Sequence, residues 1–339
     1  MIRRLAAMAT IWAVALVAVF VVRAAASGAH TPQVTFADAP PGLYAHDIYH
    51  HISATLIGSL DRMPVAWAWS PDGSRLGYVL LDSTDGAYDL LTWRPGIRES
   101  VLHVEDMPFG SPPAWSPDSR SIIYVDQRQD LCILALTGGT RCLNVQPAGQ
   151  PTWSPDGAAV AYLSRVRGGG LLRVAVDSGQ ITPLFTGIDG VNNPRWSPDG
   201  AWIAFSYEPP EDETRHLYII AASGGEPILL TGQDGWQDQA VWSPDGQRIA
   251  YNHYPAVPNS RPDVAVIDLE TRAITRVTHH PQTDTDPRWS PDGRSLAFVS
   301  DRYDVRPRLH VVPADRLDAV EPLDTPGIAM RLYAYAWRP

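Results

Sequence analysis

From residue 43 onward, apolar residues fall in short runs, some alternating and some continuous. The runs are separated by turns rich in Gly, Pro, Asp and Ser. No stretch there keeps the three-to-four spacing of an amphipathic helix, so the pattern predicts strands throughout. One unit shows the grammar. Gln239–Ser243 is extended and enters the turn Ser243-Pro244-Asp245-Gly246; Arg248–Tyr254 alternates; Asp263–Leu269 is rich in Val and Ile; Glu270-Thr271-Arg272 turns the chain; and Ala273–Thr278 is a fourth strand. Proline presets φ at the first turn corner, Asp suits the second, and Gly takes the left-handed position that follows. The same order recurs at Ile203–Tyr207, Leu217–Ala222, the turn Ser223-Gly224-Gly225, and Pro227–Thr231.

The unit is a repeat. Trp-Ser-Pro-Asp-Gly begins at Trp69, Trp153, Trp196, Trp242 and Trp289; Trp115 begins a variant with Ser119 in place of glycine, and Trp337 opens a truncated copy. Successive tryptophans are 46, 38, 43, 46, 47 and 48 residues apart. A period near 40–48 residues made of short strands matches a four-stranded propeller blade. Apolar residues on both faces of the strands need neighbours on both sides, and stacking blades in a ring supplies them while leaving only short edges. The repeated Trp, at the end of each innermost strand, is expected to fill the gap between adjacent blades.

The expected fold is therefore an all-β propeller of six to seven four-stranded blades. Seven is favoured, the last blade being a composite of both termini. Leu332–Trp337 would supply its inner strand, and Asp47–Ser53 and Thr55–Leu60 its third and fourth strands. Six blades is the alternative.

The Trp-Ser-Pro-Asp-Gly turn followed by a strand such as Leu296–Ser300 resembles the TolB-like, WD40-like propeller repeat. Leu217-Tyr218-Ile219-Ile220, Gly224-Gly225 and Leu229-Leu230-Thr231 fit the same pattern. The resemblance covers about residues 43–339 and implies a propeller, with no particular chemistry. The propellers of dipeptidyl peptidase IV relatives and of prolyl oligopeptidase look similar too, but there a hydrolase domain follows. No G-x-S-x-G elbow occurs in this chain. The nearest string, Ala221-Ala222-Ser223-Gly224-Gly225, lacks the first glycine, so neither that hydrolase domain nor the extra N-terminal domain of TolB is expected.

Arg3 and Arg4 precede an uncharged run of 18 residues, Leu5–Val22, closed by Arg23. Signal-peptide cores span about 7–15 residues and membrane-spanning helices about 17–25. Residues 1–23 are therefore read as a signal-anchor helix, with a cleaved signal peptide as the alternative because Ala24-Ala25-Ala26 resembles a cleavage site. The paired arginines place everything beyond outside the cytoplasm. Residues 24–42, rich in Ala, Pro and Gly, are read as a linker, and 43–339 as the propeller.

Composition narrows the chemistry. The net charge is −10 and all 27 basic residues are Arg, which argues against nucleic-acid binding, Schiff-base chemistry and a P-loop. The aspartates of the repeated turns fall one per blade and are read as turn formers. Cys132 and Cys142 flank Gly138-Gly139. A two-residue turn there opposes Ala135 to Cys142 and puts the cysteines on opposite faces, so no bridge is expected; a longer or shifted turn reverses this. Neither His50-His51 nor His279-His280 can chelate one ion from a strand, where neighbours point apart.

Loops entering the inner strands converge on one mouth of a propeller. They offer Asp189, Asn192 and Asn193; Asp234, Trp236, Gln237 and Asp238; and Thr283, Asp284 and Asp286; Asp106, Met107 and Phe109 hold the matching place earlier. The ligand or partner contacts are assigned to Asp189, Asn192, Asn193, Trp236, Asp238, Asp284 and Asp286. Asp284 and Asp286 are too few for a calcium, which takes six to eight oxygens, so no metal or other cofactor is expected. The expected function is that of a non-catalytic scaffold, tethered to the membrane outside the cytoplasm. It would bind a protein or peptide of the cell envelope as a monomer. The alternative is a hydrolase or lyase acting on carbohydrate, with paired carboxylates in the channel mouth.

Overall fold

The computed structural model describes residues 33–38, 42–47, 52–57, 63–81, 86–97, 99–108, 113–145, 147–212, 214–232, 234–257, 260–301, 308–317, 321–322 and 335–338. These residues form seven four-stranded antiparallel sheets. Sheet 1 is Met63–Trp69, Leu76–Leu81, Tyr88–Trp93 and Val101–Met107. Sheet 2 is Ala114–Trp115, Ser121–Val125, Leu131–Ala135 and Thr140–Cys142. Sheet 3 is Ala148–Trp153, Ala159–Ser164, Leu171–Ala175 and Ile181–Phe185. Sheet 4 is Asn192–Trp196, Trp202–Tyr207, His216–Ala221 and Ile228–Leu229. Sheet 5 is Trp236–Trp242, Arg248–Tyr254, Asp263–Asp268 and Ile274–Arg276. Sheet 6 is Asp284–Trp289, Ser295–Ser300, Arg308–Pro313 and Glu321–Pro322. In each, the strands pair in chain order, and from sheet 1 through to sheet 6 the first strand of one lies against the first strand of the next.

The seventh sheet joins both ends of the chain in the order Tyr335–Arg338, Gln33–Asp38, Gly42–Asp47, Ile52–Ile57. Val34 pairs with Trp337 and Phe36 with Tyr335, and the C-terminal strand lies against the first strand of sheet 1. The fold is a β-propeller with a composite seventh blade. Two expectations change here. Gln33–Asp38, placed in the linker, is the second strand of the composite blade. The third and fourth strands are Gly42–Asp47 and Ile52–Ile57, each beginning a few residues before the expected Asp47–Ser53 and Thr55–Leu60. Unpaired backbone groups explain the first change: without Gln33–Asp38, the C-terminal strand and Gly42–Asp47 would face each other across a gap one strand wide. The Leu5–Val22 run and Phe109 lie outside the described residues. Among the described residues no helix is long and apolar enough to cross a membrane.

The core lies between sheets and is centred on the second and third strands. The second strand of sheet 3 reads buried at all but its last position, and that of sheet 4 at all but its first, whereas the outer strands of sheets 2 and 4 are exposed throughout. Five apolar clusters each span two neighbouring sheets, as where Ile123, Leu131 and Ile133 of sheet 2 pack with Val160, Tyr162 and Val174 of sheet 3; among the described residues a sixth, around Trp67, Trp69 and Tyr78, belongs to sheet 1. Tyr78, Phe205, Tyr251 and Phe298 stand nine residues after Trp69, Trp196, Trp242 and Trp289 and are fully buried.

The repeated tryptophans tie each sheet to the one before. The indole N–H of Trp115 donates to the Ala68 carbonyl at 3.0 Å, Trp153 to Ala114 at 3.0 Å, Trp196 to Thr152 at 3.2 Å, Trp242 to Arg195 at 3.1 Å and Trp289 to Val241 at 3.2 Å. Every acceptor is the residue just before the preceding tryptophan, so the bonds run as a chain around sheets 1 to 6. The following turn is equally regular. Ser243 Oγ donates to Asp245 Oδ1 at 2.5 Å and accepts from the Arg248 N–H at 2.9 Å, while Asp245 Oδ1 accepts from the Gln247 N–H at 3.0 Å. The carboxylates are thus turn closures. The Ser hydroxyl, then a backbone N–H, holds Asp118, Asp156 and Asp199 below the usual carboxylate range. Gly246 closes its turn at φ 71°, and Ser119 takes the same left-handed place at φ 61°. Ser119 Oγ accepts the Asp72 N–H at 3.0 Å, which ties the turns of sheets 1 and 2 together.

The cysteines correct another expectation. Cys132 and Cys142 form a disulfide, with Cα atoms 4.0 Å apart. The hairpin is longer than two residues: the Ala135 N–H donates to the Gly139 carbonyl, Leu134 pairs with Thr140, and Cys132 therefore faces Cys142 directly. A longer loop shifts the register and brings both side chains to one face.

Candidate functional site

Each inner strand of sheets 3 to 6 carries a β-bulge whose left-handed residue stands three positions before the repeated tryptophan. These residues are Gln150 (φ 49°), Asn193 (φ 53°), Gln239 (φ 55°) and Asp286 (φ 56°). Non-glycine residues in this region carry about 1–3 kcal/mol of strain, and a bulge redirects the side chains before it. Side-chain oxygens of the preceding sheet take two of the exposed bulge N–H groups. Asn193 N–H donates to Gln150 Oε1 at 2.6 Å, and Asp286 N–H to Asn252 Oδ1 at 3.0 Å.

On this frame a polar network crosses three sheets. Arg215, in the connection before the third strand of sheet 4, donates to Glu208 at 3.2 Å, lies 3.8 Å from Asp238 and covers the Trp236 ring at 5.2 Å. Its Nε is buried without a hydrogen-bond partner. Asp238 accepts from Asn252 Nδ2 at 3.3 Å, Asn252 accepts from the Asp286 N–H, and Asp286 accepts from Arg288 at 3.2 Å. Asn252 is buried, whereas Trp236 keeps 46% of its surface exposed. Burial pushes the Asp238 carboxyl up, against the Asn252 hydrogen bond and the Arg215 charge, which pull it down. Burial also raises the Tyr254 phenol, and the nearby Asp238 carboxylate adds to that. The arrangement offers an exposed aromatic face backed by a guanidinium, beside a partly desolvated carboxylate. It can stack on a planar or apolar group and exchange hydrogen bonds with a polar one.

The structure brings Trp236, Asp238 and Asp286 together and separates the other candidates. Asp189 is exposed and accepts the Gly168 N–H of sheet 3 at 2.8 Å. Asn192 bonds the Gly190 carbonyl at 3.1 Å, and Asn193 is fixed by its bulge. Asp284 does not belong to the rim: it is fully buried, and its N–H donates to the Pro262 carbonyl of sheet 5. Gln237 holds the same place in sheet 5. It is fully buried, donates its N–H to the Arg215 carbonyl and accepts Thr231 Oγ1 at 3.0 Å. This position, five before the repeated Trp, points between sheets. Asp106 and Met107 end the outer strand of sheet 1 and line a shallow cleft of about 430 Å³ away from the network. Sequence reasoning missed Arg215, Asn252 and Arg288, which come from strands and connections of different sheets. Arg288 had one signal: it directly precedes a repeated tryptophan, where sheets 1, 2, 3 and 5 have Ala, Ala, Thr and Val. Among the described residues, the one group of three or more His, Cys, Asp and Glu within ligand reach is Asp126, Cys132 and Cys142, and its sulfurs are joined in the disulfide.

No family model matches the sequence. A 73-residue stretch is 34% identical to the uncharacterized peptidase YuxL of Bacillus subtilis (strain 168); it spans 21% of this chain and 11% of that protein. Among solved structures, TolB from Acinetobacter baumannii matches 88% of this chain and 79% of its own, with a TM-score of 0.57 and 20% identity. An oligogalacturonate lyase in complex with manganese matches 85% of this chain and 82% of its own, with a TM-score of 0.63 and 17% identity. What they share is the propeller. At this identity the likeness carries the fold and not the chemistry.

Proposed function

We propose that this protein is a binding propeller that works outside the cytoplasm, tethered through its N-terminal apolar run, and holds a protein or peptide at the mouth built by sheets 4, 5 and 6. The observation that carries the reading is the convergence of Arg215, Trp236, Asp238, Asn252 and Asp286, drawn from three sheets into one connected network with an exposed aromatic face. Rigid sheets carrying a few convergent polar groups suit recognition, and exposed Trp and Arg are the side chains on which interface energy concentrates. The Cys132–Cys142 disulfide supports export, because such bonds persist in oxidising compartments. The Leu5–Val22 run after Arg3 and Arg4 supports the tether.

One observation favours a catalytic reading, that of a lyase or hydrolase acting on carbohydrate: the raised carboxyl of Asp238 has the protonation bias of a general acid. Its neighbours weigh against this. Arg215 and Asn252 both favour the ionised form, and Arg288 holds Asp286 as an ion pair.

The test is binding by the full chain in detergent, comparing wild type with Trp236→Ala and Asp238→Asn. The binding reading expects a partner recovered by the wild type and lost by Trp236→Ala. Turnover of an oligosaccharide that disappears in Asp238→Asn, with no partner recovered, would refute it in favour of the enzyme.

A further inference from the structure

At the end of the propeller that carries the Trp-Ser-Pro-Asp-Gly turns, two arginines bridge neighbouring sheets. Arg248 opens the second strand of sheet 5. Its guanidinium covers the Trp289 ring of sheet 6, 4.6 Å from the centroid, and donates to the Ala314 carbonyl at 2.8 Å. Arg173, in the third strand of sheet 3, donates to the Ala222 carbonyl of sheet 4 at 3.0 Å. Ala222 and Ala314 hold the same place, each directly after the third strand of its sheet. Two different strand positions thus deliver a guanidinium to one acceptor position.

Between sheets 4 and 5 both arginines are replaced by apolar residues. The residue six after the repeated tryptophan is Arg248 in sheet 5 and Trp202 in sheet 4, and the registers agree, since Trp202 pairs with Ala221 as Arg248 pairs with Asp268. The residue two before the end of the third strand is Arg173 in sheet 3 and Ile219 in sheet 4. The acceptor place in sheet 5 belongs to Leu269. A cleft of about 360 Å³ lies here, walled by Trp202, Ile219, Trp242 and Leu269, with Asp199, Glu270 and Arg272 also lining it. Trp289, under Arg248, is buried, whereas Trp242 stays partly exposed. Among the described residues no guanidinium covers Trp242 or donates to the Leu269 carbonyl.

The neighbouring gap therefore displays the group that fits this one. Indole faces attract cations, and a guanidinium can stack on a ring while its edge still donates hydrogen bonds. An ammonium is more strongly hydrated and does not stack in this way. The charges of the lining favour a cation, with two carboxylates against one arginine. The Ser197 hydroxyl, then the Ala201 N–H, holds Asp199 below the usual carboxylate range, so it is ionised at neutral pH. The net charge of −10 draws cations from further away. The size is at the low end for ligand pockets, about 300–1,000 Å³, and suits one long side chain. The cleft is also remote from the mouth: Trp236 opens and Trp242 closes the same strand, which puts roughly 20 Å between the two ends.

We propose that the cleft between sheets 4 and 5 is a second recognition site, which takes an arginine side chain of a partner protein, its guanidinium stacked on Trp242 and donating to the Leu269 carbonyl. The site is independent of the mouth and of what binds there.

The experiment uses the full chain in detergent. The probe is the pentapeptide Gly-Gly-Arg-Gly-Gly, blocked at both ends, beside versions with citrulline, lysine or leucine at the centre, and binding is read by ligand-detected NMR titration. The arginine peptide should bind saturably. The citrulline peptide, which keeps the shape without the charge, should bind at least about tenfold more weakly, as should the leucine peptide. Trp202→Arg supplies the chain's own guanidinium, as Arg248 does next door, and should abolish binding without lowering the melting temperature. Glu270→Gln, an exposed change that leaves the core untouched, should weaken binding about threefold, the size of an exposed ion pair. No saturable binding of the arginine peptide by the wild type would overturn the proposal. Citrulline, lysine or leucine binding as tightly as arginine would overturn the guanidinium as the group recognised. Binding unchanged in both Trp202→Arg and Glu270→Gln would overturn the cleft as its place. Binding kept by Trp202→Arg and lost in Trp236→Ala would move the arginine to the mouth and overturn the second site, while leaving the functional reading standing.

Discussion

The disulfide of sheet 2 can be removed with little other disturbance, because Cys142 is exposed while Cys132 is fully buried. Cys142→Ser takes away the cross-link and leaves the buried side chain in place. The bond closes a loop with a sequence separation of 10 residues, and the chain-entropy relation for a loop of that size gives about 2.5–3 kcal/mol. The native hairpin is otherwise held by the pairs Ile133–Arg141 and Leu134–Thr140, so the loss should appear as a less stable sheet 2 and not as a different fold. Urea unfolding followed by tryptophan fluorescence should show a midpoint lowered by about 1 M, taking a slope of about 2–3 kcal/mol/M. Reduction of the wild type should reproduce the shift, and the variant should not respond to reductant. Two thiols open to alkylation in the unreduced wild type would refute the pairing. An unchanged midpoint in Cys142→Ser would refute the energetic argument.

Four further outcomes are expected. Trp115→Phe removes the donor to the Ala68 carbonyl together with part of the buried ring packed between sheets 1 and 2, and should cost about 2–4 kcal/mol in the same unfolding assay. Ser119→Ala loses the hydrogen bond to the Asp72 N–H and keeps the strained φ of 61°, so it should destabilise by about 1 kcal/mol; Ser119→Gly relieves the strain and should fall closer to wild type. Asp118, Asp156 and Asp199 have folded pKa values below their unfolded ones, and Asp72, which burial pushes up, is nonetheless held down to about 2 by its Ser70, Ser74 and Ser119 hydrogen bonds; their stabilisation is complete above about pH 5 and is lost as pH falls towards 2, which an acid titration of the midpoint reads. Asp238 is shifted upward and has the opposite sign, its ionised form disfavouring the fold, so Asp238→Asn should be no less stable than wild type at pH 7 and should gain least on acidification.

The repeat made most of the fold readable. Strand Arg248–Tyr254 has the limits that the alternation gives, because the Trp-Ser-Pro-Asp-Gly turn fixes where each second strand begins. Gln33–Asp38 escaped because its partners are unusual: one of them, Tyr335–Arg338, lies at the other end of the chain, and a local pattern carries no trace of such a pairing. The cysteine register depended on the length of one loop, which Gly138-Gly139 leaves open because both glycines accept left-handed backbone. Loop position alone grouped Trp236, Asp238 and Asp286, which the structure brings into one network. Asp284 could not be told apart from them, since only the packing shows that its side chain turns inward between sheets. The arginines were hidden for a related reason: a lone Arg in a strand or connection means little until its surroundings place a carboxylate or an aromatic ring beside it.

The claim that matters most is that the mouth of sheets 4 to 6 holds a peptide or protein. The most direct measurement is quantitative capture from detergent-solubilised membranes of the source cells. The full chain serves as bait, with the Trp236→Ala/Asp238→Asn double variant beside it and matched unfolding curves to show that both are folded. The account predicts a partner enriched by the wild type and reduced to background by the variant. A partner recovered equally by both would contradict it.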